Sequence, residues 1–226
     1  SFSPEQEIKI VRRSVCMALT LSEYDLPDAF LFMEGTVGYF VWQPEETVIV
    51  LGQSNSIESA LYSDAVAKDD LRVTKRPSGG ETVILTPSTV AFTVAKRFPV
   101  MIPVKEYFRM VNSVVVAGLE ELGVGRLGSK GISDITIGNR KILGSSMRKV
   151  NDKLVYHAVL NMAEDPSIFS KYLRHPRREP DYRAGRSHSE FVTSMAGEGY
   201  RFTAVEVMTM LDIRLAGLLV SSPAVI

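Results

Sequence analysis

Apolar residues recur along this chain in two periods, and the alternation between them predicts its elements. Ile8, Ile10, Val11, Val15 and Ala18 fall at helical spacing. They follow a capping Ser3, Pro4 at the first helical position, and Glu5 and Glu7 on the helix dipole. Residues 38–42 read as a strand with residues 43–46 as its turn, and residues 47–52 as a second strand. That second run is β-branched and too apolar to carry a wet face. Residues 59–70 predict a helix, and residues 72–76 alternate as a half-exposed strand would. Pro77-Ser78-Gly79-Gly80 breaks the pattern, and strand returns over residues 83–85 and 90–94.

Residues 104–122 form a long amphipathic helical pattern closed by Gly123. Residues 135–137 and 141–143 flank Gly138-Asn139-Arg140, a turn of strong hairpin propensity. Residues 154–161 are strand-like. Residues 165–190, rich in Pro, Arg and Ser, read as a short helix and a mobile basic loop. Residues 204–219 give a last helix. This order is α+β with hairpins rather than a strict βαβ alternation. With no repeat, low-complexity run or linker, residues 1–226 are expected to be a single domain.

Composition narrows the function. The chain has 26 Lys plus Arg and 26 Asp plus Glu, a formal net charge of zero. Without a bulk field there is no electrostatic footprint for nucleic acid or an anionic membrane, and neither is an expected partner. No window approaches the ~20 apolar residues of a membrane span, and the polar, acidic start lacks a signal-peptide pattern. The single cysteine, Cys16, can form neither an internal disulfide nor a thiolate-rich zinc site. Such usage fits a reducing, cytoplasmic setting.

Three segments carry candidate chemistry. In Lys75-Arg76-Pro77-Ser78-Gly79-Gly80, paired glycines let backbone approach a ligand, and Arg76 offers a forked donor for phosphate or carboxylate. The same pattern also suits a plain turn. In the second, Lys141 leaves a tight turn and enters an apolar strand, with Asp134 across the same hairpin. An inward lysine would neutralise a carboxylate or phosphate, whereas a surface pair would contribute under ~1 kcal/mol. The third is His157 within Val155-Tyr156-His157-Ala158-Val159-Leu160, where a satisfied core histidine and a functional one are both open. Arg174, Arg177, Arg178, Arg183 and Arg186 read as a solvated loop, as a cover for phosphate, or as a dock for an acidic partner.

In this order the segments resemble the lipoate–protein ligase family, within the biotin/lipoyl ligase superfamily. The resemblance runs from about Ser14 to Met195. Residues 42–55 match a family strand pair with its Gly-containing turn. Lys75 to Gly80 match an Arg-Arg-x-Ser-Gly-Gly-Gly motif. Ser133-Asp134-Ile135 and Lys141-Ile142-Leu143-Gly144-Ser145-Ser146 match Asn-Asp-Leu/Ile and Lys-(Val/Ile)-x-Gly-Ser-Ala. His157-Ala158-Val159-Leu160 match a His-Gly-Thr-Leu-Leu strand in part.

The resemblance implies a biotin/lipoyl ligase catalytic-domain fold, with a mixed, mostly antiparallel sheet flanked by helices. It implies ATP-dependent activation of lipoate to lipoyl-AMP, with ATP and Mg2+ required, and transfer to a lysine of a lipoyl-acceptor domain. Lys141 would be catalytic. Arg76, Ser78, Gly79, Gly80, Asp134, Gly144, Ser145, Ser146 and His157 would contact substrate or adenylate, with Asp134 a candidate Mg2+ ligand. Residues 175–190 would close over the adenylate.

The chain departs from the family pattern at several positions. Glu81 stands for the third glycine, Leu85-Thr86 for His-Asp, Leu143 for a small residue, and Ala158 for glycine. Ser189 to Ser194 stand for an Arg-x-Arg-Val-Thr-Asn segment. The chain stops where many family ligases continue into a small C-terminal accessory domain, which would imply a separate accessory chain, a subfamily that does without it, or a lower-activity stand-alone domain. Two alternatives remain: an octanoyl or lipoyl transferase using a cysteine thioester, and a non-catalytic acyl- or acceptor-binding homologue.

Overall fold

A computed structural model describes residues 19–220. The expected first helix and Cys16 lie outside the described residues. Among the described residues, ten strands form two sheets. The smaller contains β1 (Leu21–Ser22), β4 (Arg72–Lys75), β3 (Val48–Leu51) and β5 (Val83–Leu85), in that spatial order. Its β1–β4 and β4–β3 pairs are parallel, and its β3–β5 pair is antiparallel. The larger contains β2 (Gly38–Trp42), β6 (Thr89–Arg97), β10 (Lys153–Asn161), β9 (Arg140–Val150), β8 (Asp134–Ile137) and β7 (Leu127–Lys130), in that order. All its pairings are antiparallel.

Alternation along the strands sorts side chains into layers. One face of the large sheet carries Val90, Phe92, Val94, Tyr156 and Leu160. It packs on α3 (Val104–Glu121) and α6 (Ala204–Val220) through Val111, Val115, Leu119, Leu211 and Leu215. Gly118 allows the two helices to approach, because a Cβ there would lie 2.2 Å from Met210 Sδ. Ile49, Leu51, Val73 and Ile84 of the small sheet pack on α1 (Ile57–Ala60), α2 (Ser63–Lys68) and α4 (Ser167–Tyr172). Val48, Val50 and Leu85 turn the other way, toward Trp42 and Val159 of the large sheet. The site lies in this inter-sheet layer.

Several local expectations are corrected. Residues 38–42 and 47–52 are not partners across the 43–46 turn. β2 joins β6 in the large sheet, while β3 pairs β4 and β5 in the small one. The helix expected over residues 59–70 is two short helices. The break lies at Leu61 and Tyr62, where Leu61 bridges Leu173 and Tyr62 N–H donates to the Tyr172 carbonyl. Tertiary pairing thus overrides local propensity. β4 is no half-exposed strand, because it lies between β1 and β3 with Val73 and Thr74 both buried. β1 and β7 were not foreseen; both are short and weakly apolar. Among the described residues, no helix is long and apolar enough to cross a membrane.

Candidate functional site

The hairpin between β8 and β9 turns at Gly138 and Asn139, with Gly138 at φ +59°. β9 carries a bulge: Ile135 faces Leu143 and Thr136 faces Lys141, which leaves Ile142 as the extra residue. Residues three apart on a regular strand point to opposite faces. The bulge brings Lys141 onto the face of Gly144, a familiar way to re-aim a side chain. Lys141 Nζ then lies 2.8 Å from Asp134 Oδ1. A Cβ on Gly144 would be 2.7 Å from both Cε and Nζ of Lys141, so this glycine is the floor on which the lysine rests. Asp134 is buried, and its Oδ2 accepts from Tyr182 Oη at 2.7 Å.

The glycine turn lies against the end of β3. Gln53 N–H donates to the Ser78 carbonyl, and a Cβ on Gly52 would be 1.8 Å from the Gly80 carbonyl oxygen. Arg76, only 3% exposed, staples the turn. Its Nε donates to Ser78 Oγ, one Nη to the Val50 carbonyl, and the other to the Gly79 and Glu81 carbonyls at 2.6 and 2.8 Å. Those four bonds leave one N–H of the five for any ligand. Burial lowers the Arg76 pKa to about 10. Gly80 has φ +83°, a conformation that favours glycine.

Ser146 Oγ donates to the Gly79 carbonyl at 2.6 Å, so β9 holds the turn from the other sheet. Ser145 Oγ bonds the Ser133 carbonyl instead, which fixes the loop before Asp134. Ser78 Oγ sits 2.5 Å from His157 Nε2. Burial, then the nearby Arg76 charge, drives the His157 pKa well below 6.5, so the ring is neutral.

Two cavities meet at Lys141. Asp134, Gly144, Glu81 and Val159 line both along with it. The larger, about 760 Å³, runs between the sheets past Arg76, His157 and Trp42 to Tyr24 and Asp28. The smaller, about 170 Å³, is walled by Arg174, Arg177, Arg178, Arg183 and His188. Glu81 replaces the expected bare backbone with a carboxylate that accepts from Asn55 Nδ2 at 3.4 Å.

The segment after α4 is more structured than a solvated loop. α5 (His188–Phe191) is capped by Ser187, and Thr193 N–H bonds the Lys141 carbonyl at 2.9 Å. The guanidinium groups of Arg183 and Arg186 lie 4.8 and 5.3 Å from the Phe191 ring centroid. Arg183 is buried, with one Nη unpartnered, on the wall of the smaller cavity. Phe191 therefore serves as a platform for two cations, and the departure from an Arg-rich segment has a structural use. Leu85 is packed in the inter-sheet core. Burial, then Arg183, lowers the His188 pKa to about 4. Tyr182 carries no signal in the sequence, and Phe191 marks there only a departure from the family pattern. Arg183 was seen only as part of a charge run. The structure places Arg76, Ser78, Gly79, Gly80, Asp134, Lys141, Gly144, Ser146 and His157 close together between the two sheets, whereas the Ser145 hydroxyl turns to the Ser133 carbonyl.

Residues 32–213 match the family model described as "Lipoyl protein ligase A/B catalytic domain". A bi-partite lipoate protein ligase from Thermoplasma acidophilum, reported with its E2 lipoyl domain, is 20% identical with TM-score 0.70, covering 80% of this chain and 70% of that one. A putative lipoate protein ligase of T. acidophilum with bound lipoic acid is 19% identical with TM-score 0.70, covering 89% and 85%. A lipoate-protein ligase A bound with ATP is 21% identical with TM-score 0.71, covering 89% and 83%. At such identities these structures share the fold with this chain.

Proposed function

The chain belongs to the lipoyl protein ligase A/B catalytic-domain family, and on that premise we propose that it is an ATP-dependent lipoate–protein ligase. It activates lipoate or a related medium-chain acid as the acyl-adenylate and passes the acyl group to a lysine of a lipoyl-acceptor domain. One observation carries this reading: Lys141 stands on Gly144 at the neck between a deep cavity and a basic one. An acid in the deep cavity and a nucleotide in the basic one would meet at its ammonium.

In the activating step a carboxylate oxygen bonds the α-phosphorus and pyrophosphate leaves. In the second step the acceptor amine bonds the acyl carbonyl, AMP leaves, and the amine gives up a proton. Both steps gather negative charge on oxygens, and a cation held beside them before reaction stabilises that charge. Asp134 and Gly144 hold Lys141 in place for this role. Gly80 and Ser146 would form the wall beside the reacting carboxyl, backed by Gly79, Ser145 fixes the loop before Asp134, and His157, with Ser78 behind it, would line the acyl path. Arg183, with its unmet donor, suits phosphate.

Asp134 is already paired with Lys141 and Tyr182, and the described residues hold no group of three or more metal-ligating side chains. A Mg2+ ion would therefore sit chiefly on phosphate oxygens and water, with Asp134 and Glu81 as the carboxylates at hand. It would supply charge neutralisation to the triphosphate. The thioester alternative is disfavoured because residues 19–220 contain no cysteine.

The test is incubation with MgATP, lipoate or octanoate, and lipoyl-acceptor domains, with and without candidate accessory chains, read by mass spectrometry. Acylated acceptor with pyrophosphate release supports the ligase. ATP-independent acyl transfer from a carrier protein, lost in Cys16→Ser, would establish the transferase. Absence of both adenylate and product would favour a binding-only homologue.

A further inference from the structure

Glu81 follows the glycine turn, where the family pattern has a third glycine. Its backbone is pinned: its carbonyl accepts from an Arg76 Nη at 2.8 Å, and Gly80 before it turns the chain at φ +83°. Its side chain is aimed by Asn55. Asn55 Oδ1 accepts from the Gly52 N–H at 3.2 Å and from Thr82 Oγ1 at 3.3 Å, so the amide Nδ2 faces Glu81 Oε2 at 3.4 Å. Among the described residues that long bond is the only hydrogen bond or ion pair of the Glu81 carboxylate, which leaves Oε1 open.

Glu81 lines both cavities at their neck, as do Lys141 and Asp134. The two carboxylates differ in what they have left to offer. Asp134 is buried, with Oδ1 on Lys141 Nζ and Oδ2 on Tyr182 Oη. Glu81 is half-buried and has a free oxygen. The transfer step brings a further charge to this neck. A lysine ammonium, with an ordinary pKa of about 10.4, must arrive near the Lys141 ammonium and shed a proton before its nitrogen can attack. The like charge repels it and also lowers its pKa. A carboxylate with an open oxygen offsets the repulsion and accepts the proton. Asp134 could do so only by releasing Lys141 or Tyr182.

We propose that Glu81 receives the acceptor lysine in the transfer step, binding its ammonium and acting as its general base. One ammonium proton passes to Glu81 Oε1, the amine nitrogen bonds the acyl carbonyl carbon, and the bond from that carbon to the phosphate oxygen breaks. A second nitrogen proton leaves with the AMP phosphate, the third stays as the amide N–H, and Glu81 returns its proton to water. This assignment rests on the ligase reading, since it needs an acyl-adenylate at Lys141.

The test incubates the full chain with MgATP and octanoate while two amines compete for the adenylate. Nα-acetyl-lysine amide is charged at neutral pH and needs a base, whereas hydroxylamine is neutral there and needs none. Mass spectrometry reads octanoyl-lysine against octanoyl hydroxamate. In Glu81→Gln that ratio should fall at least about tenfold at pH 7, as loss of a general base requires. The deficit should narrow at about pH 9.5, where far more of the lysine is free amine. Should the variant fail to fold, Glu81→Gly, the residue of the family pattern, is measured in its place. An unchanged ratio in the folded variant, a deficit equal at both pH values, or hydroxamate without octanoyl-lysine from the wild type would overturn the inference. So would equal loss of both products, which would place Glu81 on the adenylate or its metal instead. Neither product nor pyrophosphate from the wild type would remove the ligase reading and this assignment with it.

Discussion

Lys141 and Gly144, three residues apart on β9, share one face of the strand because Ile142 is bulged between them. The lysine crosses the bare Cα of the glycine to reach Asp134. Gly144→Ala would place a methyl 2.7 Å from the ammonium and displace it. A misplacement of about 1 Å costs on the order of a hundredfold in rate. Pyrophosphate release by Gly144→Ala should fall by about that factor with little change in melting temperature. Wild-type turnover in this variant would remove Gly144 from the account.

Tyr182 connects the segment over the basic cavity to Asp134. Tyr182→Phe deletes one hydrogen bond to a buried carboxylate, about 1–2 kcal/mol. Amide exchange over residues 175–190 should quicken by about fivefold or more, leaving the large sheet unchanged. Unaltered exchange there would mean that the segment is held by Phe191 and its arginines alone.

Arg76 is the staple between the glycine turn, Val50 and Ser78. A lysine presents a point charge in place of a planar fork and cannot reach these acceptors together. Arg76→Lys should lose about 2–4 kcal/mol of stability by denaturant unfolding. Full stability with loss only of ligand binding would make Arg76 a ligand contact rather than a staple.

His157 and His188 both have folded pKa values depressed below 6.5, His188 to about 4. The unfolded chain therefore binds more protons than the folded one as pH falls below about 6.5. Stability contributed by the neutral rings is full above that pH and is lost toward pH 4. Melting temperature should fall between pH 7 and pH 5, and His188→Gln should flatten the fall. A melting temperature constant across that range would contradict both assignments.

What could be read from the sequence was local. Gly138-Asn139 announced its hairpin through turn chemistry, and Lys141 stood out as a charge entering an apolar strand. Its pairing with Asp134 followed from the hairpin. The bulge at Ile142 left no mark in the pattern, so the reason for Gly144 was hidden. Whether β2 and β3 pair is decided by partners 24 to 57 residues away, which local periodicity does not encode. Nothing in the local pattern marks Asp28, which pairs in the fold with Thr93, 65 residues on. Arg183 looked like its solvated neighbours until Phe191 folded beneath it.

The central claim is that the Lys141 ammonium drives adenylate formation. Lys141→Ala, incubated with MgATP and a medium-chain acid that the wild type turns over, measures it most directly through pyrophosphate release. The account predicts no detectable acyl-adenylate from a variant with wild-type circular dichroism and unfolding. Adenylate formation at the wild-type rate by that folded variant would contradict it.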